Sequence, residues 1–285
     1  MPLPLPPRGS KREAKKSRSS KIVPSDHGQS EKRGENYRAK ISPSSPQGPL
    51  KKRSALEDVT NMTFEVSHET LYLAVKLVDH YLMEVICKRD KLQLIGSTAF
   101  LIAAKFEEPY PPCVDDFLYI CDDIYQRKEM LAVEISILQT LNFDINIPVA
   151  YHFLRRYAVC LRADMNILTL SRFVCEMTLQ EYDYIHERAS KLAAGCFLLA
   201  LYMKKLGHWA PTLECYSGYK TSDLHPLVKQ LNNMLTSRSS DKLKTVHSKY
   251  SHQVFFEVTK IPPLDVLELE EIMNSNSESE GLDLW

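Results

Sequence analysis

Apolar residues recur at helical spacing through most of the chain after residue 61. Behind Ser67, for example, Leu71, Val75, Val78 and Leu82 fall on one face of a helix, and Ser67 is well suited to its N-cap. We find no sustained alternation of apolar and polar residues bounded by hairpin turns. The pattern therefore predicts an all-α fold.

The next segment, KLQLIGSTAFLIAAKFEEPYPP, is apolar on most of its sides. It contains small residues, among them Gly96, Ala99 and Ala103, which allow neighbouring elements to approach closely. This pattern predicts a central helix that is packed all round and ends at the prolines that follow it. Two shorter helices are predicted near residues 113–122 and 127–141.

The chain resembles itself at an offset of 99 residues. Each copy contains a central helix with small residues, a turn with proline and a short amphipathic helix. Two copies of about 100 residues predict a duplicated helical domain rather than a solenoid, which needs more and shorter units. The matched pairs include Gly96 with Gly195, Lys105 with Lys204, Tyr110 with Trp209, Pro112 with Pro211, and Phe117 with Tyr216.

The two copies differ at their beginnings. The second copy opens with IPVAYHFLRRYAVCL, a good amphipathic helix with Pro148 near its first turn. The corresponding stretch of the first copy, GPLKKRSALEDVTN, has no comparable apolar stripe. The first copy is therefore predicted to lack its opening helix.

Charge and composition divide the chain further. Residues 1–53 contain 14 Lys and Arg against 4 Asp and Glu, together with eight of the 16 prolines. Such a segment cannot bury enough apolar surface to offset the entropy of ordering it. We predict a disordered basic arm over 1–61, folded regions over 62–146 and 147–265, and an acidic tail over 266–285.

Several classes of function are not supported by the residues. The seven cysteines are scattered and form no C-x-x-C pair, which argues against a zinc site and for a reducing compartment. No signal peptide, membrane span, P-loop, dinucleotide fingerprint or nucleophile elbow is found. We predict an intracellular, soluble protein that is not an enzyme, needs no cofactor and binds no specific nucleic acid.

Three segments, ETLYLAVKLVDHYL, KLQLIGSTAFLIAAKFEEPYPP and EISILQTLNFDINIPVAYHFLRRY, closely resemble the cyclin box of mitotic, B-type cyclins. The second copy, with LAAGCFLLAL and WAPTLECYSGY, resembles the C-terminal cyclin fold. The resemblance implies two five-helix units in tandem, the first of them truncated here. It also implies a protein that binds and activates a cyclin-dependent kinase without supplying catalytic residues or cofactors.

Lys105 and Glu134 are the first candidates for a binding site. From the residues alone, Lys105 is a cation suited to a helix C-terminus, and Glu134 interrupts an apolar stripe, either at an exposed edge or paired. The resemblance implies that the two form a pair that grips the kinase beside its regulatory helix. It further implies that four apolar residues contact that helix: Phe106, Leu138, Phe143 and Ile145.

The basic arm contains two candidate signals. Arg53, Leu56 and Asn61 fit the pattern R-x-x-L-x(4)-N, and the resemblance identifies it as a destruction box, read by the anaphase-promoting complex for ubiquitination. A basic cluster fits a nuclear import signal, the alternative being a solvated tail: Lys11, Arg12, Lys15 and Lys16. Ser42 and Ser45 each precede proline and are either phosphorylation sites or ordinary loop residues.

The absent opening helix affects function as well as fold. In mitotic cyclins this helix forms half of a patch that docks substrates, and only the matching Leu92 and Gln93 remain here. Its loss predicts several hundred Å² of exposed apolar surface on the central helix, at roughly 25 cal/mol per Å². An alternative function is therefore a non-activating degradation substrate or decoy with an impaired first box.

Overall fold

The computed structural model describes residues 66–207, 209–237 and 244–279, and it contains no strand within them. The prediction of an all-α fold is confirmed. Among the described residues, the first four α-helices form what we call the first repeat: α1 (His68–Glu84), α2 (Leu92–Glu107), α3 (Val114–Ile120) and α4 (Arg127–Thr140). The next five form the second repeat: α5 (Ala150–Cys160), α6 (Met165–Thr178), α7 (Ala189–Met203), α8 (Pro211–Ser217) and α9 (Thr221–Ser237). Two more helices follow: α10 (Thr245–Tyr250) and α11 (Val266–Ser279).

The helices recur at the offset seen in the sequence. Adding 99 to the residue numbers places α1 on α6, α2 on α7, α3 on α8 and α4 on α9, within five residues at each end. The counterpart of α5 would fall near residues 51–61, which lie outside the described part of the chain. The absence of an opening helix in the first repeat therefore stays a prediction.

The central helices α2 and α7 are buried because their neighbours surround them. Ten of the 16 residues of α2 are buried, including Leu94, Phe100 and Leu101, and the helix contacts α1, α3 and α4. The expected exposed apolar surface on α2 is therefore wrong. Among its large apolar side chains, only Leu92 and Phe106, near the two ends, are exposed.

The two repeats meet along α1. The guanidinium of Arg155 donates to Glu69 (2.8 Å), and that of Arg172 donates to His68 Nε2 (2.6 Å). Further along the helix, Lys76 Nζ donates to the carbonyl of Ile185 at 3.1 Å. The second repeat thus supports the first through polar contacts as well as packing.

A buried ion pair attaches the segment after the second repeat. Glu176 of α6 accepts hydrogen bonds from Lys249 Nζ (2.8 Å) and from the hydroxyl of Tyr250 (2.7 Å), both on α10. All three side chains are buried. Removing either charged partner would leave the other charge buried without a counter-charge, which is strongly destabilising. No helix among the described residues is both long and apolar enough to cross a membrane.

Candidate functional site

The structure brings Lys105 and Glu134 together. Lys105 lies in the last turn of α2, and its Nζ is 2.5 Å from Oε1 of Glu134 in the middle of α4. The Lys105 side chain is 45% exposed and that of Glu134 13% exposed. The carboxylate that interrupts the apolar stripe is therefore mostly covered and paired, while the ammonium remains open to a partner.

The apolar neighbours of Glu134 explain its position. Met130 and Ile137, one turn before and after it, are fully buried against the core, so α4 packs with this face toward α2. Glu134 lies at the edge of the buried face, where the end of α2 supplies a cation. The packing of α4 against α2 thus holds Glu134 beside Lys105.

Phe143 is held in an unusual conformation just after α4. Its φ is +60° and that of Asn142 is +51°, so both residues lie in the left-handed region that a bulky side chain rarely adopts. The N–H of Phe143 donates to the carbonyl of Leu138 at 2.8 Å, which closes the end of the helix. The Phe143 ring is nevertheless 67% exposed. The strained backbone thus presents an apolar ring to solvent, which makes Phe143 a candidate for contact with a partner.

Three more predicted residues surround the pair and the ring. Phe106 follows Lys105 directly and is 46% exposed. Leu138 lies one turn after Glu134 and is half-buried, as is Ile145, whose N–H donates to the carbonyl of Phe143 at 3.1 Å. We call this set the α2–α4 surface: Lys105, Phe106, Glu134, Leu138, Phe143 and Ile145. Exposed rings around an ion pair suit the binding of another protein.

The other predicted residues lie elsewhere. Leu92 and Gln93 open α2, about 20 Å along the helix from Lys105 at 1.5 Å per residue. Leu92 is exposed and Gln93 is half-buried, so they are separate from the α2–α4 surface. The remaining candidates lie outside the described residues: Lys11, Arg12, Lys15, Lys16, Ser42, Ser45, Arg53, Leu56 and Asn61.

Sequence reasoning missed Glu108, which follows α2 and binds the start of α1. Its Oε1 accepts hydrogen bonds from the N–H of Ser67 (2.7 Å), the Ser67 hydroxyl (2.8 Å) and the Thr70 hydroxyl. Burial acts to raise the pKa of Glu108, but these hydrogen bonds outweigh it and lower the pKa. The predicted N-cap at Ser67 is confirmed, since its hydroxyl also accepts from the Thr70 N–H. The hydrogen bond between Ser67 and Glu108 joins residues 41 positions apart, so the sequence around either residue does not indicate it.

The described part of the chain contains neither a disulfide nor a candidate metal site. The seven cysteines, all within that part, are free thiols. No group of three or more His, Cys, Asp or Glu among the described residues is arranged to hold a metal ion.

Two family descriptions match consecutive parts of the chain. Residues 54–146 match "Cyclin, N-terminal domain" and residues 148–264 match "Cyclin, C-terminal domain", which together make up most of the chain. The chain belongs to the cyclin family, whose members are regulatory proteins rather than catalysts.

Within that family it is similar to G2/mitotic-specific cyclin-B3 of several animals. It is 84% identical to the Canis lupus familiaris protein over 213 residues, 75% of this chain and 16% of that protein. It is 67% identical to the Homo sapiens protein over 221 residues, 78% of this chain and 16% of that protein. The Gallus gallus protein is 70% identical over 212 residues, 74% of this chain and 53% of that protein. The chain therefore spans about a sixth of the first two relatives and about half of the third.

The fold is also found in a solved structure. A viral cyclin from herpesvirus saimiri matches with a TM-score of 0.57 and 20% identity, over 64% of this chain and 82% of that one. At this identity the match supports the fold alone, and it agrees with the prediction of tandem cyclin folds.

Proposed function

We propose that the chain is a regulatory cyclin of the mitotic or meiotic cell cycle, which binds and activates a cyclin-dependent kinase. The observation that carries this proposal is the α2–α4 surface. It combines a partly exposed ion pair with two exposed phenylalanine rings, one of them on a strained backbone. Aromatic residues, phenylalanine among them, are enriched in the buried centres of protein interfaces.

The activation mechanism follows from what a kinase needs. Phosphoryl transfer by a protein kinase requires an ion pair between a Lys and a Glu of the kinase itself, together with a correctly placed activation segment. Both depend on the position of one regulatory helix of the kinase. A surface that binds the active arrangement more tightly than the inactive one shifts the kinase toward activity. In this proposal Lys105 and Glu134 hold the kinase, while Phe106 and Phe143 pack against the helix. The catalytic groups all belong to the kinase.

The test is co-purification with a cyclin-dependent kinase followed by a histone-kinase assay. Lys105→Ala should reduce binding at least tenfold, because it removes the open member of the pair. Lys91→Ala is the matched control, since Lys91 forms a comparable pair with Glu129 (3.2 Å) but lies at the other end of α2. No kinase binding by the unmodified chain, beside a binding full-length relative, would refute the activation proposal.

We further propose that the arm directs nuclear import and timed degradation, through the cluster at Lys11 to Lys16 and the destruction box at Arg53, Leu56 and Asn61. Recognition of the box by the anaphase-promoting complex would lead to ubiquitination. The double substitution Arg53→Ala/Leu56→Ala should lengthen the lifetime of the chain after metaphase. Longer lifetime without any kinase activation would instead support the decoy function.

A further inference from the structure

A cavity of about 210 Å³ lies where α1 meets the second repeat. One face of α1 forms a wall with Tyr72, Lys76 and Asp79. The opposite walls are the starts of α5 and α7 and the connection between α6 and α7. The volume is smaller than that of a typical small-molecule site, so it suits one long side chain rather than a whole ligand.

The charges in the cavity are mostly negative. Asp79, Glu181 and Glu187 contribute three carboxylates against the single ammonium of Lys76, which already donates to the carbonyl of Ile185. Asp79 is half-buried, and no ion pair to it is found among the described residues. Burial raises the pKa of Asp79, with Lys76 and His80 acting in the opposite direction. A cation placed in the cavity would be attracted by this excess of carboxylates.

Tyrosine rings complete the lining. Tyr72 and Tyr184 are buried members of the lining, whereas Tyr182 is 76% exposed. The faces of aromatic rings attract cations, and they also pack well on the aliphatic stem of a lysine or arginine. Carboxylates and tyrosines together select a long side chain with a positive end over a neutral or acidic one.

We propose that this cavity binds a lysine or arginine side chain presented by an extended segment of a partner protein. The site is distinct from the α2–α4 surface and does not depend on the function proposed for it. Clefts between domains are common places for recognition, and here the charge and the rings indicate which side chain is recognised. The occupant would contact both repeats at once.

The experiment uses the full chain and fluorescent Gly/Ser peptides that differ at one central residue. Binding of the lysine and arginine peptides, measured by anisotropy, should exceed that of the norleucine peptide at least tenfold. Asp79→Asn should reduce the affinity for the lysine peptide about tenfold, while Asp115→Asn, at an exposed position of α3 far from the cavity lining, should leave it unchanged. Equal binding of norleucine and lysine, or tighter binding of glutamate, would overturn the proposal.

Tyr182→Ala is a further variant that separates a loss of peptide binding from a loss of folding. Tyr182→Ala removes an exposed ring, so its circular dichroism and kinase binding should match those of the unmodified chain. Its affinity for the lysine peptide should nevertheless fall several-fold. Unchanged affinity in both Tyr182→Ala and Asp79→Asn would show that the peptide binds elsewhere.

Discussion

At the scale of single residues, Phe143 combines a strained backbone conformation with a solvent-exposed ring. A left-handed conformation costs a non-glycine residue about 1 kcal/mol, and burial of the ring does not offset that cost because the ring is mostly in solvent. Function is the simplest reason for keeping a phenylalanine here. Stability and kinase binding should therefore change in opposite directions when it is replaced.

We expect Phe143→Gly to raise the free energy of unfolding by about 0.5–1 kcal/mol, since glycine adopts a positive φ without a steric penalty. Kinase affinity should fall at least tenfold because the ring is lost. Urea unfolding and kinase co-purification measure the two effects. Asp123→Gly is the control, because Asp123 is also exposed with a positive φ (54°) but lies outside the α2–α4 surface. Asp123→Gly should gain stability without losing kinase binding. A loss of stability in Phe143→Gly would show that the positive φ of Phe143 does not strain the backbone.

The residues of the α2–α4 surface could be predicted, but their conformations could not. Glu134 stood out because it interrupts an apolar stripe, and the family pattern supplied its partner. The positive φ of Phe143 depends on how α4 ends, which no spacing of apolar residues encodes. Glu108 was missed for a similar reason, since its partners depend on the packing of α1 against α2.

At the scale of helices, the periodicity of apolar residues was sufficient for most of the fold. The helices predicted near 113–122 and 127–141 are α3 and α4, with ends that agree within two residues. Small residues also marked the central helices correctly. A Cβ added to Gly195 of α7 would lie 2.8 Å from Cδ2 of Leu227 on α9, which explains the glycine by close approach of the two helices.

Gly195→Ala should therefore destabilise the second repeat by about 1–3 kcal/mol, the usual cost of overpacking a core. Differential scanning calorimetry of the full chain would measure the loss. Leu227→Ala removes the atoms that the new methyl group meets, so the double variant should be more stable than the sum of the single effects predicts. Strict additivity of the two changes would show that the contact does not limit the packing.

The ion pair between α6 and α10 could not be predicted from the spacing of residues in the sequence, because its members are 73 residues apart. Glu176→Gln should cost about 3–5 kcal/mol, since it leaves the Lys249 ammonium buried without a counter-charge. Replacing both residues by apolar ones, Glu176→Leu/Lys249→Met, should restore most of the stability. Chemical denaturation of the unmodified chain and the two variants shows whether the charged pair is required or can be replaced by apolar side chains. A double variant as unstable as Glu176→Gln would contradict this account.

At the scale of the whole molecule, the two repeats depend on each other through α1. Its first turn carries His68 and Glu69, which bind Arg172 and Arg155 of the second repeat, and its later turns line the cavity between them. The sequence indicated two repeats but not this junction, because the contacts join residues about a hundred positions apart. These contacts with the second repeat would help to stabilise a first repeat that lacks its opening helix.

The junction should make the stability of the protein sensitive to acid. The pKa of His68 is lowered from 6.5 to about 3, first by burial and then by the nearby charges of Arg172 and Lys249. Below pH 6.5 the unfolded chain therefore binds a proton that the folded chain does not, so the stability due to neutral His68 is present above 6.5 and decreases as the pH falls toward 3. Since one pKa unit corresponds to about 1.4 kcal/mol, the loss between pH 7 and pH 5 should be about 1–2 kcal/mol.

His68→Gln tests this link, because glutamine can still accept the hydrogen bond from Arg172 but cannot be protonated in this range. Urea unfolding of both proteins at pH 7 and pH 5 should show that the variant loses less stability on acidification, by that same 1–2 kcal/mol. The carboxylates that titrate below pH 5 are common to both proteins and cancel in the comparison. Equal losses in the two proteins would show that the protonation of His68 does not affect the stability of the junction.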